Sequence, residues 1–260
     1  MPVSDLMTVA PPSVEEGPTP TRSCAVRVTN LSYAYPDGHV ALRDVNLTIY
    51  AGERVALMGP NGAGKSTLLM HLNGIFGGAR SRGTVEVAGL TVSPATLKRV
   101  RALVGVVFQN PDDQLFSPTV GDDIAYGPLY MGLDRQEIDR RVAQALAAVD
   151  MAGFEERMPH HLSIGQRKRV SLATVLTMEP EILVLDEPSA GLDPRARRGL
   201  IDLLRSLPQT LVASTHDMRL VRDLFERAII MQEGRIVVDA PANEIIHDAG
   251  LLEEYGLELP

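Results

Sequence analysis

A chain of 260 residues that is 45% hydrophobic and 22% charged has the size and make-up of one large globular domain or two small ones. Its 25 basic and 33 acidic residues leave a net charge of −8, which argues against wholesale binding to nucleic acid or to an anionic membrane surface. The single Cys24 excludes an internal disulfide, and no apolar run approaches the roughly 20 residues that span a bilayer, so work at a membrane would need a partner.

Residues 1–23 carry five prolines and few large apolar side chains, and lack the cationic-then-apolar order of a signal peptide. A disordered tail is expected there. Val26, Val28 and Leu31 open a first strand, and Val45, Leu47 and Ile49 alternate as a second. Between them, Tyr33-Ala-Tyr35-Pro-Asp-Gly38 supplies turn chemistry. Beside a nucleotide site Tyr35 is expected to stack on a base and Tyr33 to pack inward; without one, both would be half-buried strand residues.

Arg54–Met58 reads as a buried strand, and Thr67–Leu72 as the start of a helix. Between them lies Gly59-Pro60-Asn61-Gly62-Ala63-Gly64-Lys65-Ser66-Thr67, which fits the phosphate-binding pattern G-x-x-x-x-G-K-[ST] at every fixed position. Glycines let backbone N–H groups turn in on phosphate oxygens, and the following helix aims its positive dipole end at the same anion. Lys65 is expected on the β- and γ-phosphates and Ser66 on Mg²⁺, so the chain binds a nucleotide.

Further along, Gly83–Gly89 suits a short strand, Pro94–Arg101 a short basic helix and Val104–Phe108 a buried strand ending at Gln109. From about 111 to 178 the pattern is helical: Asp134 with Glu137 is an N-cap pair, and Ile138, Val142, Leu146 and Val149 form a stripe at helical spacing. Strands return at Ile182–Leu185, Thr210–Ala213 and Ala228–Met231, with helices over Pro194–Leu207 and Asp217–Glu226. Strands alternating with helices imply an α/β body whose parallel sheet is covered on both faces, with the helical segment inserted into it. At the end of the strand Ile182–Leu185, Asp186 is expected to serve Mg²⁺ through water, while Glu187 faces the other way and can act as general base.

With both phosphate motifs placed, Leu162-Ser163-Ile164-Gly165-Gln166 closely resembles the signature of ATP-binding-cassette (ABC) ATPases. Gln109, Ser189-Ala-Gly-Leu-Asp193 and His216 match that family's Q-loop, D-loop and switch histidine, and the likeness runs over residues 24–245, leaving 246–260 as a tail. The resemblance implies a P-loop NTPase fold: a RecA-like parallel core, an antiparallel β subdomain and an inserted helical signature subdomain. It implies that two cassettes sandwich ATP head to tail, so that Ser163, Gly165 and Gln166 meet the nucleotide on the partner's loop and Asp193 communicates between sites. Glu187 would be the base, His216 and Lys65 would hold the γ-phosphate, and Gln109 would serve both catalysis and Mg²⁺. Ile164 departs from the signature's glycine; a requirement for positive φ would strain it.

Gln109-Asn-Pro-Asp-Asp-Gln-Leu-Phe116 and Asp122-Asp-Ile-Ala-Tyr-Gly-Pro128 further resemble the ATPases of energy-coupling-factor importers, and Pro159-His-His-Leu-Ser with Tyr255–Pro260 their cobalt/nickel branch. This implies a second ATPase subunit, with a homodimer favoured over a heterodimer, together with an integral membrane coupling protein and a substrate-binding membrane subunit. The coupling protein would dock near Gln109–Gly132, the location would be peripheral on the cytoplasmic face, and nucleic acid would not be a partner. His160 and His161 lack companions at ligand spacing and are not expected to bind a transition metal. The alternative is a soluble ABC ATPase acting on DNA or ribosomes. The chain has no long heptad insertion, no second cassette and no net basic charge to favour it.

Overall fold

The computed structural model describes residues 22–257; most of the N-terminal segment expected to be disordered, and the final residues of the C-terminal segment, lie outside them. The chain opens with two long antiparallel strands, β1 (Cys24–Ala34) and β2 (Val40–Tyr50), joined across the Tyr35–Gly38 turn, whose ends close through Tyr35 N–H donating to His39 O. β3 (Arg54–Met58) runs into the glycine-rich loop and α1 (Lys65–Leu72). β4 (Ser81–Val87) and β5 (Leu90–Thr91) return to β1, giving an antiparallel sheet of order β2-β1-β4-β5. α2 (Leu97–Leu103) and β6 (Val104–Val107) lead to three helices: α3 (Val120–Met131), α4 (Arg135–Ala148) and α5 (Ile164–Leu176). The chain then alternates through β7 (Ile182–Asp186), α6 (Pro194–Ser206), β8 (Thr210–Ser214), α7 (Met218–Leu224), β9 (Arg227–Gln232), β10 (Arg235–Pro241), α8 (Ala242–His247) and α9 (Ala249–Glu254).

The second sheet has the order β10-β9-β3-β8-β7-β6, with β3 in its middle. Its neighbours from β9 to β6 are parallel. Strand residues point alternately to opposite faces, and the core divides accordingly. Ala56, Met58, Leu183, Leu185, Leu211 and Ala213 face a cluster shared with α3–α8. Val55, Leu57, Ile182, Val184 and Val212 face a cluster shared with α1, α2 and the antiparallel sheet. Burial on both faces explains why these strands read as continuous apolar runs.

β10 was not foreseen. Glu233 (φ 48°) and Gly234 (φ 78°) are both left-handed, the conformation of a tight hairpin, and turn the chain back so that β10 pairs antiparallel with β9. The parallel sheet expected from the sequence is therefore mixed, with an antiparallel edge. Past residue 245, Ile246 and Leu252 are buried in the same core as α7, so the expected tail boundary falls inside α8.

Candidate functional site

The glycine-rich loop leaves the centre of the sheet at the carboxyl end of β3, where parallel α/β sheets place their ligands. Two of its glycines are required by geometry. Gly59 has φ 133°, and a Cβ there would strike the Met231 carbonyl; Gly64 has φ 100°, and its Cβ would meet the Ala41 carbonyl. The β9–β10 turn braces the loop from outside through Gly234 N–H donating to Ala63 O. Gly64 begins α1 with no side-chain cap, whereas Asp, Ser or Thr side chains cap α3 to α7. The first N–H groups of α1 thus stay available to an anion.

Lys65 Nζ donates to the Gly59 carbonyl at 2.7 Å and the Pro60 carbonyl at 3.0 Å. Burial lowers its pKa, partly opposed by the charges of Glu187 and Asp186. Ser66 Oγ donates to Asp186 Oδ1 at 2.9 Å, and the Ser214 hydroxyl donates to the same oxygen. Two hard oxygens converging beside the loop form a donor pair that fits Mg²⁺.

Glu187 follows β7 with φ 44°, a left-handed conformation costing a non-glycine residue of order 1–3 kcal/mol. Its N–H donates to both the carbonyl and the hydroxyl of Ser214, at 3.1 and 3.0 Å, and its carbonyl accepts from Ala190 N–H. The turn aims the carboxylate into the cleft, away from Asp186's task. Glu187 Oε2 lies 2.9 Å from His216 Nδ1, close but not aligned as a hydrogen bond. The His216 side chain is 69% exposed and the Glu187 side chain 11%, so the histidine reaches solvent while the acid is largely buried.

A cleft of about 310 Å³ joins Tyr35, residues 61–67, Gln109, Glu187 and His216. Tyr35 Oη is 2.8 Å from Thr67 Oγ1, and its ring stands edge-on to Tyr33 and Phe76. Tyr33 is buried and stacks on Phe76, as packing rather than lining. His39 and Ala41 also line the cleft and were missed; they lie past the turn, and only the β1–β2 pairing brings them back.

Ser163, Gly165, Gln166 and Asp193 do not line this cleft. Ser163 caps α5 in a reciprocal box with Gln166: Gln166 N–H donates to Ser163 Oγ and Ser163 N–H to Gln166 Oε1. Ile164 is the first residue of α5 and is absent from the left-handed residues, so the strain considered for it does not arise. Asp193 Oδ1 accepts from Arg195 and Ala196 N–H at the start of α6, and these bonds lower its pKa. His160 and His161 pack edge to face on one another in a short turn before the signature.

Sequence reasoning also passed over two residues behind the cleft. Ser214 holds both acids, and only the pairing of β7 with β8 reveals this. Lys168 is 5% exposed, and burial lowers its pKa to about 8 against the pull of Glu187 and Asp186. It is hidden in sequence inside the cationic run Arg167-Lys168-Arg169.

The sequence model of a family described as ABC transporter matches residues 42–190. A putative ABC transporter ATP-binding protein of Streptomyces coelicolor is 52% identical over 94% of this chain and 93% of that protein. The energy-coupling factor transporter ATP-binding protein EcfA of Methanothermobacter thermautotrophicus is 46% identical, over 90% of this chain and 76% of that protein. Among solved structures, cbiO1 from Clostridium perfringens, described as part of the ABC transporter complex cbiONQ, superposes with a TM-score of 0.78 at 36% identity, over 92% of this chain and 96% of that one. A dimeric ATP-binding cassette in a post-hydrolysis state, bound to ADP and Pi, superposes with a TM-score of 0.74 at 28% identity, over 84% of this chain and 98% of that one.

Proposed function

This chain belongs to the ABC transporter ATP-binding family, and we propose that it is the ATPase of an energy-coupling-factor importer for cobalt or nickel ions. It hydrolyses ATP in step with transport, as one member of an ATPase pair attached to membrane components. The single observation that carries the assignment of roles is the convergence on one cleft of a phosphate loop, Ser66 with Asp186 bonded behind it, and the Glu187–His216 pair. The choice of metal is supported by the likeness to a component of the cbiONQ complex and is the finer part of the proposal.

Lys65 leaves the Gly59 and Pro60 carbonyls to bind the β- and γ-phosphates, and the uncapped start of α1 receives the same anion. Ser66 and Asp186, with Gln109 at the cleft's edge, would hold Mg²⁺, which when bound supplies charge neutralisation at the phosphate oxygens. Glu187 takes a proton from the attacking water while His216 orients the water and the γ-phosphate. Tyr35, which lines the cleft, would give the base a flat surface. Ser163, Gly165, Gln166 and Asp193 do not line this cleft, which is consistent with their serving the partner's nucleotide across a head-to-tail dimer. The ATPase domain runs from about residue 24 through α9, with α3–α5 as its helical subdomain. Among the described residues no helix is long and apolar enough to cross a membrane, so attachment is peripheral and goes through the membrane partners.

The test is reconstitution of the chain with its membrane partners in vesicles, with cobalt, nickel and a vitamin offered as competing substrates. ATP-dependent uptake of cobalt or nickel is expected. Glu187→Gln should remove uptake and lower hydrolysis by a factor of about 10²–10⁴, the usual contribution of a general base, while an ATP-bound dimer persists on a sizing column. Uptake of the vitamin alone would overturn the metal assignment, and normal turnover in Glu187→Gln would remove that residue from its role.

A further inference from the structure

Three successive cations on α5 point in three directions. Arg167 reaches outward to Asp112 at 2.6 Å, and Arg169 reaches back to the Val149 carbonyl and Asp150. Lys168 goes inward, is 5% exposed, and has no carboxylate within ion-pair distance among the described residues. Its Nζ donates instead to two backbone carbonyls, that of Gln109 at 3.1 Å and that of Glu187 at 3.2 Å. A buried ammonium held only by carbonyls is costly, and stability alone would be served as well by an apolar side chain of similar volume. The cation therefore calls for an explanation beyond packing.

The two carbonyls supply it. One belongs to Gln109, just past the end of β6 and at the edge of the nucleotide cleft; the other belongs to Glu187, whose left-handed backbone is held on its N–H side by Ser214. Lys168 joins both to the helix that begins with the signature Ser163. The same helix grips the segment after Gln109 a second time, since Gln114 Nε2 donates to the Ser171 carbonyl and to Thr174 Oγ1. A shift of α5 relative to β7 would break the Lys168 bonds first, because a 3.2 Å hydrogen bond tolerates little displacement.

We propose that Lys168 is a positioning residue, a three-way clamp that fixes the backbone of Glu187 and of Gln109 only while the signature helix is seated. The proposal rests on Glu187 as general base and adds how the placement of that base depends on the helical subdomain. Lys168 does not line the cleft, so its loss should act on turnover and leave nucleotide affinity alone.

The experiment uses the full chain as Lys168→Met, Lys168→Arg and Lys168→Gln, with Glu187→Gln in parallel. It measures kcat and KM for ATP, nucleotide affinity and the thermal midpoint. Lys168→Met should lose tenfold or more in kcat with KM changed less than threefold, and Lys168→Arg, which can still donate to both carbonyls, should recover to within threefold of the parent. If Lys168→Met does not fold, Arg and Gln carry the comparison, Gln being the slower. Parental turnover in Lys168→Met, a KM that rises as kcat falls, or equal rates for Arg and Gln would each overturn the clamp. Parental turnover in Glu187→Gln would instead overturn the general-base reading beneath it.

Discussion

Ile164 stands where the signature of the family has a glycine, yet it occupies the first turn of α5 without a left-handed φ. Ile164→Gly should therefore leave ATP turnover within about threefold and lower stability by at most ~1 kcal/mol, the cost of glycine in a helix. A rise in turnover of a hundredfold would show that the isoleucine restrains the signature, and a steady-state ATPase assay decides it. Beside the cleft, left-handed strain falls instead on Glu187, one of seven non-glycine residues with positive φ among the described residues, which is held by Ser214, Ala190 and Lys168. Residue type at 59–67 and 186–187 was legible because phosphate chemistry leaves few choices. Lys168 and Ser214 were not, because a cation in a basic run and a serine at a strand end have solvated readings by default.

α1 is tied to the antiparallel sheet by a buried histidine. His71 is 2% exposed; its Nδ1 donates to the Thr67 carbonyl, which can only accept, so its Nε2 accepts from the Ser81 hydroxyl. Burial lowers its pKa below the ordinary value of 6.5. The unfolded chain then takes up this proton first, so the stability His71 contributes is full above pH 6.5 and falls as the pH drops toward the folded value. Unfolding free energies from urea titrations at pH 7.5 and 5.5 should differ by up to ~1.4 kcal/mol more in the parent than in His71→Leu, and an equal pH dependence in the two would place the titration elsewhere. Elements with a strong period were readable: the stripe Ile138, Val142 and Leu146 is buried in α4, and Asp134 caps that helix by accepting from Glu137 N–H. β10 was not, because its half-buried pattern is blurred by Val237 and Val238, and its turn is Glu-Gly rather than Asn-Gly or Asp-Gly.

On the whole molecule, α3 and the segment before it expose Phe116, Tyr126, Leu129 and Tyr130, each more than half accessible, with Phe116 and Tyr126 packed edge to face at 5.2 Å. Such a cluster of exposed aromatic and aliphatic side chains suits a protein partner, and we propose it as the docking face for the membrane coupling protein. Phe116→Asp with Tyr126→Asp should abolish co-purification with the membrane subunits in mild detergent while the isolated chain keeps its ATPase rate within about threefold. Retained assembly would move the docking face elsewhere.

The sequence alone made the expected chemistry legible: the phosphate loop, the acid pair after an apolar strand and the ordered motifs behind the family resemblance are local patterns, each dictated by what a few adjacent atoms must do. It also determined most strands and helices, since burial on one face or both writes a period into the chain. Which distant groups meet emerges only in the folded chain. Sheet pairing brought Ser214 to Asp186 and Glu187, the hairpin after β9 placed Gly234 on the phosphate loop, and the seating of α5 delivered Lys168 to two carbonyls. These contacts join residues far apart in sequence, and all but the Ser214–Asp186 hydroxyl bond end on a backbone atom that every residue carries, so no local pattern of side chains announces them.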